Sequence, residues 1–296
     1  MLHIHGIIPP VVTPMLPNED VDYAGLRAVI DYQIAHGVHG IFVMGTTGEC
    51  YALSDEEKQR IVATAVEHVN KRVPVFAGTG AETTREAIRH TKMAEKEGVS
   101  GVSVITPYFV MPNQSEIADH YRRVADATTL PVILYSNPAT CGGLKIDPDT
   151  VGKLAKVPNI VAVKDSSGDL TNLIETVRLV PPTFSVLQGR DTLIAAALLF
   201  GARGAVPASS NIAPDIVVDI YNSFVAGDIE KSQAAQARLS PVRLALMIGT
   251  APGVVKQAMA LCGRPAGPSR SPIAPLSPEK RQQLAQILGE AGLLAQ

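Results

Sequence analysis

The chain has 296 residues, of which 46% are hydrophobic and 18% are charged, and its formal net charge is -2. This balance is typical of a globular protein with a large core, and the missing basic surplus argues against a nucleic acid partner. The longest apolar run, residues 193–200, is too short to cross a bilayer, so we expect no membrane partner either.

The cysteines indicate neither a disulfide framework nor a structural zinc site. Cys50, Cys141 and Cys262 lie far apart and have no CxxC or Cys/His spacing. His3 and His5 are interpreted as the start of the first strand, since no further ligand joins them in a recognisable spacing. We therefore expect no metal and no organic cofactor. The reduced cysteines and the lack of a signal-peptide pattern predict a cytoplasmic protein.

Short apolar or β-branched runs alternate with amphipathic stretches, which is the pattern of parallel βα units. The predicted strands are residues 6–13, 40–44, 73–77, 101–105, 132–135, 160–164, 184–187 and 205–208. The clearest helical stretches are residues 22–36, 54–70 and 83–97. Each of these begins at an Asp, Ser or Thr that can cap a helix. Gly37, Gly98 and Gly201 follow helical stretches at positions where a left-handed C-cap is expected.

Eight such strands predict an α/β fold, a closed (β/α)8 TIM barrel, with a doubly wound open sheet as the alternative. Beyond the eighth strand the pattern is helical only, over residues 214–226, 229–248, 252–261 and 277–288. We therefore divide the chain into a barrel with the active site, residues 1–226, and a helical C-terminal extension packed on it, residues 227–296. Residues 263–272 are rich in Pro and Gly and predict a surface connection.

The reacting groups of a βα barrel lie at the C-terminal ends of its strands, where two residues stand out. Lys164 ends the sixth strand, and a partly desolvated amine there favours the neutral form that attacks a carbonyl to make a Schiff base. Tyr135 ends the fifth strand, and its phenol suits proton transfer. The structural alternatives are a lysine that only caps its strand and a tyrosine that only packs.

The second strand leads into a Gly-Thr-Thr-Gly turn that suits a small carboxylate. Gly45 lets the backbone approach a ligand, and Thr46 and Thr47 add hydroxyls and N–H groups. The alternative is an ordinary tight turn, with Glu49 stabilising the loop.

The last strands end in loops that could contact a substrate tail. Val206 and Ser209, at the end of the eighth strand, are predicted to line this part of the site. The Gly-Thr-Gly run at residues 78–80 lacks the third glycine of a dinucleotide fingerprint, so we expect no nucleotide cofactor.

Together, Gly-Thr-Thr-Gly-Glu, Tyr-x-x-Pro and Val-x-Val-Lys-Asp-x-x-Gly-Asp closely resemble the family of dihydrodipicolinate synthase and N-acetylneuraminate lyase, the pyruvate-dependent class I aldolases. The resemblance implies that Lys164 forms an imine with a 2-oxo acid and that Tyr135 relays protons. It further implies that Thr46 and Thr47 hold the substrate carboxylate, and Thr46 is counted among the catalytic residues. A (β/α)8 barrel assembled as a homo-oligomer, a tetramer or a dimer, is also implied.

Two positions depart from that family. Thr140 stands where dihydrodipicolinate synthases carry an arginine for the second substrate's carboxylate. Phe109 stands where many members carry a tyrosine that enters the neighbouring subunit's site, and Tyr108 is the only nearby substitute. Residues 134–138, 164–169 and 252–256 look more like the branch of 4-hydroxy-2-oxoglutarate and 2-keto-3-deoxy sugar acid aldolases.

The predicted function is a Schiff-base lyase that makes or breaks a carbon-carbon bond in a 4-hydroxy-2-oxo acid, with pyruvate and an aldehyde as partners. The alternatives are 4-hydroxy-tetrahydrodipicolinate synthase and a 2-keto-3-deoxy acid dehydratase. A metal-dependent barrel enzyme is disfavoured because none of the remaining histidines ends a strand. A non-catalytic protein that binds a 2-oxo acid is the more remote alternative.

Overall fold

The computed structural model describes residues 3–264 and 266–294. Within them, eight parallel strands follow one another around a single sheet in the order β1-β8-β7-β6-β5-β4-β3-β2. The strands are β1 Gly6–Ile7, β2 Ile41–Val43, β3 Val75–Gly78, β4 Gly101–Ile105, β5 Val132–Ser136, β6 Ile160–Asp165, β7 Ser185–Gln188 and β8 Gly204–Ala205.

The sheet closes between its two ends. A parallel bridge joins Pro10 to Phe42, with Phe42 N–H donating to Pro9 C=O at 3.0 Å and Val11 N–H donating to Phe42 C=O at 3.0 Å. The predicted (β/α)8 barrel is confirmed, and the open sheet is wrong. The predicted first strand is too long, however, because the two prolines after Ile7 have no N–H for the ladder.

Helices follow the strands as a βα barrel requires. They are α1 Tyr23–Ala35, α2 Asp55–Val69, α3 Thr84–Lys96, α4 Gln114–Asp126, α5 Pro148–Leu154, α6 Leu170–Leu179, α7 Ile194–Leu199, α8 Pro214–Val225, α9 Ile229–Ala245, α10 Gly253–Leu261 and α11 Pro278–Glu290. The side chains of Asp22, Ser54 and Thr83 cap α1, α2 and α3, which confirms the predicted helix starts. None of the helices in the described residues is long and apolar enough to cross a membrane.

The hydrophobic core has two layers. One fills the barrel, where side chains from alternate strand positions point inward. It consists of Ile4, Ile8, Phe42, Phe76, Ile133, Val161, Ala162, Leu187 and Val206. The larger layer lies between the sheet and the surrounding helices. The barrel interior is therefore packed, and the open part of the molecule is its mouth.

Helix α9 and the residues after α10 contact the barrel through specific polar bonds. Gln236 on α9 accepts a hydrogen bond from Ala195 N–H at 3.0 Å and donates to Asp191 C=O at 2.9 Å. Arg264, after α10, donates to Ile212 C=O at 2.7 Å. The division at residues 226 and 227 stays a prediction. The predicted connection, residues 263–272, forms no helix or strand where it is described, and Pro265 within it lies outside the described residues.

Candidate active site

Lys164 and Tyr135 are direct neighbours at the carboxyl ends of β6 and β5. They are paired in the parallel register, and the Lys164 Nζ atom lies 4.0 Å from the centroid of the Tyr135 ring. Phe42 on β2 presents a second ring, with its centroid 5.3 Å from the same nitrogen. Both Lys164 and Tyr135 are only 5% exposed. Among the described residues the amine has no carboxylate partner, so it is held by aromatic faces rather than by an ion pair.

The Tyr135 phenol is oriented by the loop that follows its strand. Asn137 Nδ2 donates a hydrogen bond to Tyr135 Oη at 3.0 Å. Because the amide nitrogen can only donate, the phenol accepts this bond and keeps its own proton for another acceptor. The loop itself is held by Ser136, whose hydroxyl accepts from Ile146 N–H at 3.1 Å. Asn137 is a site residue that the sequence reasoning missed.

The predicted carboxylate cradle is a short 3₁₀ turn, Thr46–Gly48, preceded by Gly45. Thr46 and Thr47 are half-buried, and within the described part of the chain their backbone N–H groups have no acceptor. Two N–H groups and two hydroxyls at the start of a turn can together bind an anion. The cradle therefore has the chemistry for a small carboxylate.

The cradle and the lysine each border a small hollow, and the two hollows share lining residues. One hollow is lined by Thr46, Gly45 and Tyr135, and a second is lined by Lys164 and Val206, while Phe42 and Ser103 line both. The structure thus brings these predicted residues together at the barrel mouth. The hydroxyl of Ser103 is buried and unpaired among the described residues, and no sequence pattern had indicated it.

A wider cleft of about 410 Å³ opens above the cradle. It is lined by Thr46, Cys50, Tyr51, Ile105, Tyr108, Thr140, Thr250, Ala251 and Ile273. None of these carries a charge. Burial raises the pKa of the half-buried Tyr108 phenol, so this side chain stays protonated at neutral pH. Phe109 is 97% exposed and does not line the cleft.

Ser209 has a different place from the one predicted. It is fully buried, and both its N–H and its hydroxyl donate to the carboxylate of Asp191. Its side chain therefore serves the fold rather than a substrate tail. In the described residues no three His, Cys, Asp or Glu side chains gather so that they could hold a metal ion.

Comparison with known proteins matches this architecture. The family model for the dihydrodipicolinate synthetase family matches residues 3–291. Proteins named 4-hydroxy-tetrahydrodipicolinate synthase are similar over almost their whole length. That of Syntrophus aciditrophicus is 38% identical over 289 residues, 98% of this chain and 99% of the relative. That of Methanoculleus marisnigri is 38% identical over 292 residues, 97% of this chain and 99% of the relative.

Solved structures agree. Dihydrodipicolinate synthase from Thermotoga maritima superposes with a TM-score of 0.96 at 31% identity, covering 99% of this chain and 100% of that one. A prophage protein of the dihydrodipicolinic acid synthase family from E. coli K12, in complex with pyruvate, has a TM-score of 0.93 at 35% identity and covers 98% and 99%.

The fold and the mouth residues define a barrel lyase, and the chain belongs to the dihydrodipicolinate synthetase family. It is thus a pyruvate-dependent class I aldolase, a carbon-carbon lyase. The alternative of a non-catalytic binding protein is set aside.

Proposed function

We propose that Lys164 forms the imine with pyruvate and that the chain joins this pyruvate to an aldehyde. The observation that carries the proposal is the buried Lys164 amine, 4.0 Å from the Tyr135 ring centroid and without a carboxylate partner in the described residues. An amine in such surroundings is suited to act as a nucleophile toward a carbonyl.

Each site residue has a role in the proposed reaction. The amine of Lys164 attacks the ketone carbon of pyruvate, whose carboxylate is bound by Thr46 and Thr47, and water leaves to give the iminium. The methyl carbon loses a proton to solvent, which later returns one to Tyr135, and the enamine that results attacks the aldehyde carbon. Tyr135 protonates the alkoxide that forms, and water then releases the 4-hydroxy-2-oxo product from Lys164. Cleavage is the same sequence in reverse, with Tyr135 taking the hydroxyl proton.

The names of the relatives favour the predicted alternative, 4-hydroxy-tetrahydrodipicolinate synthase, and we propose synthesis of this kind as the first candidate. Aldol cleavage of another 4-hydroxy-2-oxo acid is the second candidate. It is favoured by Thr140 and by the uncharged lining of the cleft, which offers hydroxyls but no guanidinium to a second carboxylate.

Borohydride trapping tests the imine. We expect incubation with pyruvate and borohydride to attach a stable adduct to Lys164 of the wild-type chain, and we expect no adduct in Lys164→Met. Lys153→Met, a change on α5 outside the mouth, serves as the control and should be modified like the wild type. Peptide mass spectrometry gives the site. An unmodified Lys164 in the wild-type chain would contradict the proposal.

The choice of aldehyde is tested on the same protein. Turnover with pyruvate and an aldehyde that carries a carboxylate and an amine, so that the product can cyclise, supports the synthase. Pyruvate release from 4-hydroxy-2-oxo acids without such turnover supports the second candidate.

We also propose a homo-oligomer, a tetramer or a dimer, that works in the cytoplasm. The exposed apolar side chains of Phe109, Val110 and Met111 support an assembly of copies, and the unpaired cysteines support a reducing compartment.

A further inference from the structure

A buried ion pair links the cradle loop to the C-terminal helices. Glu49 comes directly after the Thr46–Gly48 turn, and Lys256 lies on α10. Their side chains are 0% and 1% exposed, and Lys256 Nζ lies 2.6 Å from Glu49 Oε1. The other carboxylate oxygen of Glu49 accepts from Arg270 N–H at 2.9 Å. Both oxygens are therefore bound by residues that follow the barrel.

The Lys256 amine is equally well held. It donates to Pro268 C=O at 2.7 Å, which lies in the connection after α10. Burial lowers the pKa of Lys256, while Glu49 opposes that shift. A buried ion pair adds little to stability compared with apolar residues of similar size, because both charges lose their hydration. The pair is therefore better explained by the geometry that it imposes than by stability.

That geometry concerns the backbone of the cradle. Glu49 has φ 58° and Met44 has φ 56°, so two non-glycine residues in the left-handed region bracket residues 45–48. Such residues are uncommon, and the surrounding structure must hold them in place. The N–H of Glu49 closes the turn by donating to Thr46 C=O at 3.1 Å. Glu49 thus closes the same turn that presents the Thr46 and Thr47 N–H groups.

We propose that Glu49 and Lys256 are positioning residues for the carboxylate of the 2-oxo acid. The ion pair holds Glu49 in its left-handed conformation, and this holds the cradle open toward Lys164. The C-terminal helices thereby contribute to substrate affinity without touching the substrate. This inference rests on the proposed function, because it takes the cradle as the carboxylate site.

The test compares pyruvate with methyl pyruvate, which has the ketone but not the free carboxylate. Borohydride trapping at Lys164 gives the half-saturating concentration of each compound for the wild type, Glu49→Gln, Lys256→Met and the double variant. We expect the value for pyruvate to rise about tenfold or more in the variants, since a misplacement of about 1 Å can cost ~100-fold. The value for methyl pyruvate should change little.

Leu239→Ala is the control for lost stability, because Leu239 is a fully buried residue of α9, a helix that packs mainly against α8. It should lower Tm and leave the preference for pyruvate over methyl pyruvate unchanged. If a single variant fails to fold, the preference for pyruvate can still be measured in the double variant, because that variant has no unpaired buried charge. Its Tm should recover while the lost preference does not.

The outcomes are distinct. Variants that lose Tm but keep the wild-type preference for pyruvate overturn the positioning role and leave the proposed function intact. A wild-type chain that traps neither compound on Lys164 overturns the proposed function, and the positioning role with it.

Discussion

The phenol of Tyr135 is the residue on which proton transfer depends in this site. Tyr135→Phe should lower kcat by about 100-fold or more, in the range typical of a lost general acid or base. Asn137→Ala should lower kcat less, because it removes only the 3.0 Å hydrogen bond that orients the phenol. Steady-state kinetics with pyruvate and the accepted aldehyde measure both. Tyr135→Phe with more than half of the wild-type kcat would contradict the proton-transfer role.

At the scale of single residues, the sequence predicted which side chains lie at the carboxyl ends of the strands. Lys164, Tyr135 and Thr46 were found because a barrel brings the ends of its strands to one mouth. The partner of Glu49 was not predictable in this way, since Lys256 is far away in the chain and no local spacing connects the two. Ser209 was predicted to line the substrate site because the sequence showed no partner for its hydroxyl. In the structure this hydroxyl donates to the Asp191 carboxylate.

Among the elements, α2 is linked to the connection at residues 263–272 through Glu57 in its first turn. The Nη1 and Nη2 atoms of Arg270 donate to Glu57 at 2.8 and 2.7 Å, and the side chains of Arg270 and Glu57 are 20% and 23% exposed. The Arg270 hydrogen bonds hold the pKa of Glu57 below its usual range. Glu57→Gln should lower Tm at pH 7 by about 2–4 °C, while the amide can still complete the cap at Ser54.

This effect should depend on pH. Since the folded-state pKa of Glu57 is lowered, its stabilisation is complete above the ordinary glutamate pKa of about 4.3 and is lost as pH falls through the folded-state value. The Tm difference between the wild type and Glu57→Gln should therefore shrink in acid. Glu86→Gln, which breaks an exposed pair with Arg89, is the control and should have a smaller effect. A difference that persists at pH 3 would count against the ion pair.

The order of the elements was predictable, whereas their limits were less so. Short apolar runs gave all eight strands, because these strands are buried on both faces. Helical patterns gave the helices of the extension, because each buries one face. Strand β1 is shorter than predicted because Pro9 and Pro10 have no N–H to donate to a neighbouring strand. Strand β8 is shorter because the chain forms a 3₁₀ turn at Ala208–Asn211. The left-handed conformation of Asn70 after α2 is typical of an asparagine at a helix end, whereas that of Lys71 had no sequence signal.

At the scale of the whole molecule, the loop after β4 exposes an apolar patch. Phe109, Val110 and Met111 are 97%, 54% and 57% exposed, and contiguous exposed apolar surface marks an interaction site. Since the family resemblance places the Phe109 position at a neighbouring subunit, a second copy of this chain is the expected partner.

We therefore expect the wild-type chain to sediment as a tetramer or a dimer, and Phe109→Asp to shift it toward a smaller species because a charge would be buried in the interface. Sedimentation velocity at micromolar concentration measures the mass. Val225→Asp, at a 65% exposed position on α8, is the control and should leave the mass unchanged.

The same variants also test the site itself. If the patch of one copy completes the mouth of another, Phe109→Asp should weaken turnover together with assembly, whereas an unchanged mass in Phe109→Asp would show that the copies meet elsewhere.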